Sequence, residues 1–268
     1  MKHPFLTALP WLLGLSISIV HAGIQDTARE VQQAHQDAIV YLKAVVEVPG
    51  RDGNNREVTV ETLGTIIAKD GLIVTSNSML GQAPNKDGKS PELQDLKALM
   101  PDGAELAAKL VLQDTELDLA FVRLEGEDAV HTAISLPEDG PRLEIFDQVI
   151  SLARQEEDLQ RLSSVVIARI NAKIRRPRLF YVASVGAFGA PAFDDKGNFV
   201  GIFVRKIHQG APASQILLPT KSIHKISQQL EPEKEEVDQE EGAALQDENT
   251  SEEEPIPNKE SDAEDDNA

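Results

Sequence analysis

The chain has 268 residues, of which 45 are acidic and 26 are basic, so its formal net charge is −19. A hydrophobic fraction of 41% is enough for a buried core, and the absence of cysteine excludes disulfides and thiolate metal sites as its support. The excess of acids argues against nucleic acid as a partner, since a phosphate-binding face needs an excess of Lys and Arg.

The first 22 residues have the pattern of a secretory signal peptide. A basic start precedes an apolar run from Phe5 to Val20, and the small residue Ala22 offers a cleavage site before Gly23. The alternative is an uncleaved membrane anchor, which the shortness of the run and its interruption by a proline and a glycine disfavour. The sequence therefore predicts a periplasmic or secreted protein, cleaved between Ala22 and Gly23, with no integral membrane span after cleavage.

Twelve segments typical of strands follow a short helical segment at residues 23–37. They are rich in β-branched and aromatic residues and are separated by Asp-Gly and proline turns. Six fall within residues 38–130, namely Ala38–Val48, Glu57–Ile67, Leu72–Ser76, Leu96–Met100, Glu105–Gln113 and Leu119–Leu124. Six more fall within residues 131–230, namely Glu144–Leu152, Leu162–Ile170, Arg178–Val182, Pro191–Phe193, Phe199–Lys206 and Gln215–Leu218. Two six-stranded antiparallel sets indicate an all-β protein built of two barrels, although periodicity alone does not distinguish barrels from sandwiches.

A closing helix and an acidic tail complete the predicted domain order. The helix is predicted from Thr220 to Leu230, with Ile223 and Ile226 on one face. The tail at residues 231–268 contains 17 Asp and Glu and 2 Lys, so it carries most of the net charge of the chain. Few aromatic residues and several prolines accompany these acids, and the sequence therefore predicts that the tail is disordered.

The most informative motif runs from Gly186 to Ile202 and reads GAFGAPAFDDKGNFVGI. A Gly-x-x-Gly turn, a short apolar strand, an Asp-Asp-Lys-Gly-Asn turn and a second apolar strand make a consistent hairpin. This order resembles, without a gap, the nucleophile region of trypsin-like serine proteases of the HtrA (Deg) type, which reads roughly GNSGGPLVNxxGEVIGI. The resemblance covers about residues 38–230 and implies the chymotrypsin-like double antiparallel β-barrel with short N- and C-terminal helices.

The same resemblance assigns the three catalytic positions of the family to Ser78, Asp118 and Phe188. The nucleophilic serine falls on Phe188. The segment LGTIIAKDGLIVTSNSML places Ser78 where the histidine is expected, and DTELDLAFV matches Asp118 to the aspartate. A phenyl ring has no nucleophilic atom, and a serine cannot act as the base near neutral pH. The sequence therefore predicts an inactive homologue in which Asp118 accepts hydrogen bonds from backbone amides, while the amides of Gly186 and Phe188 are candidate oxyanion donors.

Three functions are open on the sequence. The first is a protein- or peptide-binding module that does not cleave its partner. The second is a working serine endopeptidase with a relocated site, for which Ser76 and Ser78 are the serines nearest the predicted cleft. The third is a structural envelope protein that works through its acidic tail. The histidines left after signal cleavage match no family position, and they are His35, His131, His208 and His224.

The sequence predicts neither a cofactor nor a metal site. The Asp194–Asn198 segment has residue types found in calcium loops, but it lacks their alternate spacing and closing glutamate. It is therefore interpreted as a hairpin turn.

A cluster of basic residues is the candidate binding surface. It consists of Arg169, Lys173, Arg175, Arg176 and Arg178 within ten residues, with Arg205 and Lys206 on a neighbouring predicted strand. Such a cluster is either a solvated hairpin that protects a sheet edge by its charge, or a site for a partner. The sequence also predicts a salt-sensitive contact between the acidic tail and this hairpin, while the protein or peptide partner itself is not predicted.

Overall fold

The computed structural model describes residues 23–50, 54–84, 88–126, 130–208 and 211–230. The predicted signal peptide and the predicted acidic tail, with its contact to the basic hairpin, lie outside the described residues. Helix α1 (Ile24–His35) opens the described chain and continues into a 3-10 turn at Gln36–Ala38. Neither described helix is long and apolar enough to cross a membrane.

Twelve strands follow in the described part of the chain. The first six are β1 (Ile39–Pro49), β2 (Asn55–Ile66), β3 (Leu72–Ser76), β4 (Glu92–Leu99), β5 (Glu105–Asp114) and β6 (Leu119–Leu124). The second six are β7 (Gln148–Arg154), β8 (Ser163–Ile174), β9 (Phe180–Ala183), β10 (Pro191–Phe193), β11 (Phe199–His208) and β12 (Ala211–Pro219). A 3-10 turn at Glu157–Leu159 lies between β7 and β8, and helix α2 (Thr220–Ser227) with a 3-10 turn at Gln228–Leu230 ends the described chain.

Each set of six strands closes on itself as an antiparallel barrel. The order of hydrogen-bonded neighbours is β1-β2-β3-β6-β5-β4 in the first barrel and β10-β11-β12-β9-β8-β7 in the second. The predicted all-β double barrel is therefore confirmed. The sandwich alternative is wrong, because closure leaves neither sheet with an open edge strand.

Four strand bounds differ by four residues from those predicted, namely the starts of β4, β7 and β12 and the end of β8. The starts of β7 and β4 have an identifiable cause. Residues 144–147 were predicted as the start of β7 but form a turn, since Asp147 N donates to Glu144 O and the Asp147 side chain accepts from Glu144 N. Strand β4 begins at Glu92, four residues before its predicted start, because Glu92 pairs with Glu47 on β1. Local turn chemistry and long-range pairing thus set these two bounds.

Apolar side chains from both barrels form the core. Leu42, Ile73 and Phe121 are fully buried in the first barrel, as are Phe193 and Phe203 in the second. Strand β3 has no exposed face, because all five of its residues are buried. Its last two residues, Thr75 and Ser76, satisfy their buried hydroxyl groups by donating to Leu63 O and to the Asp118 carboxyl group.

Helix α1 packs on the second barrel, although the chain next enters the first. Ala28 and Val31 are buried on its apolar face. Thr27 Oγ1 donates to Asp195 O at 3.1 Å, and Gln32 Nε2 donates to Ser163 Oγ at 3.2 Å. The helix is therefore anchored by residues of the β10–β11 turn and of β8.

Arg154 at the end of β7 ties the beginning of β1 to the second barrel. Its guanidinium donates to the carbonyl oxygens of Gln36 and Ile39, and the phenol of Tyr41 donates to Arg154 O at 3.0 Å. Arg161 lies over the Tyr41 ring and pairs with Glu61 at 3.0 Å. Charge-assisted hydrogen bonds of this kind fix one barrel against the other more firmly than apolar contact alone.

Gly189 provides the closest approach of the two barrels. Its φ is +80°, and a Cβ atom at this position would lie 1.8 Å from the carbonyl oxygen of Leu63 in β2. The Gly189 carbonyl in turn accepts a hydrogen bond from Thr65 Oγ1 at 2.8 Å. Backbone therefore meets backbone here, and only glycine fits.

Alanine substitutions at Gly189 and at a control glycine, Gly103, test this contact. Gly103 has a similar φ of +89° but open space around it. We expect Gly103→Ala to lower the free energy of unfolding by about 1 to 2 kcal/mol for backbone conformation alone, and Gly189→Ala by roughly 3 to 5 kcal/mol. Urea unfolding of both variants measures the difference, and equal losses would show that the barrels do not meet at Gly189.

A second prediction concerns His35 at the end of α1. Its ring stacks on Phe193 at 5.1 Å, its Nδ1 atom is buried without a hydrogen bond to any described residue, and burial lowers its pKa. Folding thus favours the neutral ring. This stabilisation is complete above the unfolded-state pKa of about 6.5 and is lost as the pH falls below it.

We expect His35→Phe, which keeps the stacked ring but cannot be protonated, to lose less stability than the unsubstituted protein between pH 7 and pH 5. Thermal melts across this range provide the measurement. Parallel pH profiles of the two proteins would contradict the assignment to His35.

Candidate functional site

Asp118 lies at the junction of the two barrels, in the turn that leads into β6. Its side chain is 1% exposed and its φ is 57°, a left-handed conformation that Asp tolerates better than most residues. Oδ1 accepts a hydrogen bond from Ser78 N at 2.7 Å, and Oδ2 accepts from Ser76 Oγ and from Arg205 N at 2.8 Å. The prediction that Asp118 accepts hydrogen bonds from backbone amides is confirmed, and the donors come from both barrels.

Ser76 and Ser78 lie at the end of β3 and in the turn that follows it. Ser76 is fully buried, and its hydroxyl group donates to Asp118. Ser78 is half-buried, with its Oγ 3.5 Å from Ser76 Oγ. Each hydroxyl is therefore close to another oxygen atom, and neither forms a hydrogen bond with an imidazole in the described part of the chain.

Phe188 lies in the turn between β9 and β10 and is half-buried. The guanidinium of Arg205, on β11, lies over its ring at 4.9 Å from the centroid. Arg205 Nη2 also contacts Met79 Sδ at 3.1 Å. The Arg205 side chain thus lies between Phe188 of the second barrel and Met79 of the first.

The turn before β10 is fixed by contacts beneath it. The Gly186 carbonyl accepts from Gln215 Nε2 at 3.0 Å, and an added Cβ at Gly186 would lie 2.6 Å from the Phe203 ring. Gly189 N donates to Phe203 O at 2.8 Å. The amides of Gly186 and Phe188, the two candidate oxyanion donors, make no hydrogen bond to another described residue.

Some residues of the basic cluster form ion pairs or ring contacts with other described residues, and others do not. Lys173 pairs with Glu144, whose pKa is lowered by this hydrogen bond and by the nearby charge of Arg175. Arg178 pairs with Glu116 at 2.6 Å, and Lys206 lies over the Phe180 ring at 4.9 Å. These contacts connect β8 to the turn before β7, the segment before β9 to the turn before β6, and β11 to β9.

The remaining basic side chains of the β8–β9 hairpin are free to meet a partner. Arg169, Arg175 and Arg176 are exposed, and none forms an ion pair with another residue in the described ranges. Arg205 belongs to the cleft between the barrels, because adjacent residues of a strand point to opposite faces and Lys206 occupies the other one.

Sequence reasoning missed Met79 and Gln215, which position Arg205 and the turn at Gly186. Met79 directly follows Ser78, so its proximity to the cleft was readable from the alignment. The contact of Gln215 with Gly186 could not be predicted from the sequence, because it depends on the pairing of β11 with β12.

Two adjoining grooves occur elsewhere, on the first barrel. Their volumes are about 530 and 450 Å³, and both are lined by Leu106, Val130 and His131. Neither groove includes a residue that the sequence assigned to a site.

The Asp194–Asn198 segment is a hairpin turn, as predicted. Asp194 Oδ1 accepts from the amides of Lys196 and Asn198, and Oδ2 accepts from the Asn198 side chain. Across the described ranges, no group of three His, Cys, Asp or Glu residues is placed to hold a metal ion.

Replacing Asp118 by asparagine tests the role of the carboxylate. Asparagine tolerates the same backbone conformation but has one acceptor oxygen, so its amide group would face at least one backbone N–H. We expect a loss of about 1 to 3 kcal/mol in the free energy of unfolding. As a control, Asp102→Asn should change it by less than about 0.5 kcal/mol, because one oxygen suffices for the exposed Asp102 turn. Equal small effects would refute a structural role of Asp118.

Known proteins with the same organisation are trypsin-like peptidases. The trypsin-like peptidase domain family matches residues 62–202, a range that includes Ser78, Asp118 and Phe188. Two relatives are each described as a probable periplasmic serine endoprotease DegP-like. The one from Pseudomonas fulva is 27% identical over 163 residues, and the one from Halomonas elongata is 26% identical over 162. Each match covers 58% of this chain and 31% of the relative, so the chain spans about a third of the length of these proteins.

The solved structures include a similar fold, titled "HtrA-type protease AlgWS227A with decapeptide". The TM-score is 0.58 at 18% sequence identity, and the match covers 76% of this chain and 66% of that one. This likeness concerns the fold. Together with the match over residues 62–202, the two closed barrels and the position of Asp118 between them show that the chain belongs to the trypsin-like peptidase domain family, with relatives of the HtrA type.

Proposed function

We propose that this chain is an exported trypsin-fold protein of the HtrA type that binds a protein or peptide partner and does not cleave it. The observation that carries the proposal is the Phe188 turn, where the sequence motif puts the family's nucleophile and where the Arg205 guanidinium lies over the Phe188 ring. Neither group can attack a carbonyl carbon, because neither has a nucleophilic lone pair at neutral pH.

The missing base supports the same proposal. In a serine protease, an imidazole takes the proton of the nucleophile and a carboxylate orients the imidazole. Here the Asp118 oxygens accept from Ser76 Oγ, Ser78 N and Arg205 N, so three of the roughly four lone-pair sites of the carboxylate are engaged by groups other than an imidazole. The same contacts disfavour Ser76 as a substitute nucleophile, because it is buried away from any substrate.

Two groups of hydrogen-bond donors support the binding of a protein or peptide partner. The Gly186 and Phe188 amides are without acceptors among the described residues, and the exposed Arg169, Arg175 and Arg176 provide positive charge nearby on the same barrel. A partner peptide could use both kinds of donor. Proteolysis by a relocated site is the competing function, and the experiment below separates the two.

The periplasm is the proposed location, on two grounds. The relatives are described as periplasmic, and the first 22 residues have the composition of a signal peptide. The attraction between the acidic tail and the basic hairpin stays a prediction from charge, as does a structural role for the tail in the envelope.

Labelling with a fluorophosphonate tests the absence of catalysis. We expect the purified full-length protein to take up no label and to hydrolyse no casein under conditions where an active trypsin-like protease does both, because no activated serine is present. Stoichiometric labelling would overturn the proposal. In that event, Ser76→Ala and Ser78→Ala, made separately, would show which hydroxyl reacts.

A further inference from the structure

We infer that Arg205 makes the cleft a recognition site for one carboxylate of a bound peptide. This inference rests on the proposed binding function and specifies its ligand. The cleft lies between Phe188 and Met79, where the Arg205 side chain is half-buried at the junction of the barrels.

The first argument is that the guanidinium has donors without acceptors. An arginine carries five N–H groups and stays charged at every physiological pH. Within the described residues, its only acceptor is the sulfur of Met79, which is weak, and no ion pair involves Arg205. A partly buried cation with open donors is stabilised by an anion that enters the cleft.

The second argument is that the Asp118 carboxylate already accepts hydrogen bonds from groups other than the Arg205 guanidinium. Asp118 Oδ2 accepts from the backbone amide of Arg205 and from Ser76, and Oδ1 accepts from Ser78 N. Its hydrogen-bonding capacity is therefore directed at the backbone. The Asp118 charge also favours a ligand with one negative charge over one with two, since like charges repel across the buried junction.

The third argument is geometric. The Phe188 ring lies against the guanidinium at 4.9 Å and holds the side chain in place from one side. Apart from the Met79 contact, the guanidinium has no hydrogen-bond partner among the described residues, and its planar fork matches the two oxygens of a carboxylate, which it can bind through two parallel hydrogen bonds. The Phe188 amide, which belongs to the residue in contact with Arg205, also has no acceptor among the described residues.

Lys206 and the hairpin arginines do not belong to this site. Lys206 faces Phe180 on the opposite side of β11, and Arg175 is exposed at the end of β8. These cations would attract anions without selecting a position in a peptide. Arg56, which is exposed on β2 of the first barrel and belongs to no candidate site, provides the matched control for the charge of Arg205.

Selection from a random octapeptide library tests the inference on the purified full-length protein. We expect an acidic residue to be enriched at one position relative to the others, despite the net charge of −19 on the protein. The enrichment should be lost in Arg205→Gln and kept in Arg56→Gln. Arg205→Lys, which keeps the charge but not the fork, should retain a weaker preference.

A peptide from the selection then measures the contact directly. Replacing its acidic residue by the corresponding amide should weaken binding to the unsubstituted protein by about tenfold or more, and should not change binding to Arg205→Gln. The library is prepared with free and amidated C-termini, so the two sources of the carboxylate are separated. A preference confined to free C-termini assigns the site to the terminal carboxylate, and one present in both assigns it to Asp or Glu.

Three outcomes would overturn the inference. They are no acidic enrichment, equal enrichment with Arg205→Gln, and loss of enrichment with Arg56→Gln instead. Thermal melts of the variants ensure that the proteins compared are folded. Cleavage of the selected peptides would refute the proposed function while leaving the carboxylate site in place, so the two failures are distinguishable.

Discussion

Asp118 joins the two barrels through the hydrogen bonds that its buried carboxyl group accepts. Its three donors belong to β3, to the turn after β3 and to β11, so one buried group fixes segments that are far apart in the sequence. A buried carboxylate is costly unless each oxygen is satisfied, and here the satisfaction comes from backbone amides whose positions the sheets set. The cleft therefore keeps its shape without an imidazole in it.

The contents of the cleft follow from this arrangement. Arg205 is held by its backbone amide on Asp118, and its side chain consequently emerges between Phe188 and Met79. Asp118 thus aligns β11 with the turn that follows β3. The turn at Gly186 is also retained, because Gln215 and Phe203 support it from the strands below.

The sequence predicted the parts of this protein that depend on local pattern. Turn residues and β-branched runs located all twelve strands, and the ungapped motif at Gly186 located Phe188. It also predicted that Asp118 accepts hydrogen bonds from backbone amides, but not which residues donate them or that the Ser76 hydroxyl donates as well. The ring of Phe188 is half-buried and contacts Arg205.

The sequence could not predict the division of the basic residues. Arg205 and Lys206 are adjacent in the chain, yet they serve opposite faces of β11, and the ion pairs of Lys173 and Arg178 join segments many residues apart. Charge patterns along a sequence record which cations are close in the chain. Which of them are neutralised depends on strand pairing, which no local pattern encodes.

The docking of α1 also has a consequence for the order in which the chain can fold. Thr27 reaches a partner 168 positions later, and Gln32 reaches one 131 positions later. During synthesis, the apolar face that carries Ala28 and Val31 has nothing native to cover it until the second barrel is complete. Contacts of such sequence separation form late, because closing a long loop costs entropy before the contact is made. The first helix of the described chain is thus made early and docked late, which leaves its apolar face open to chaperones in the meantime.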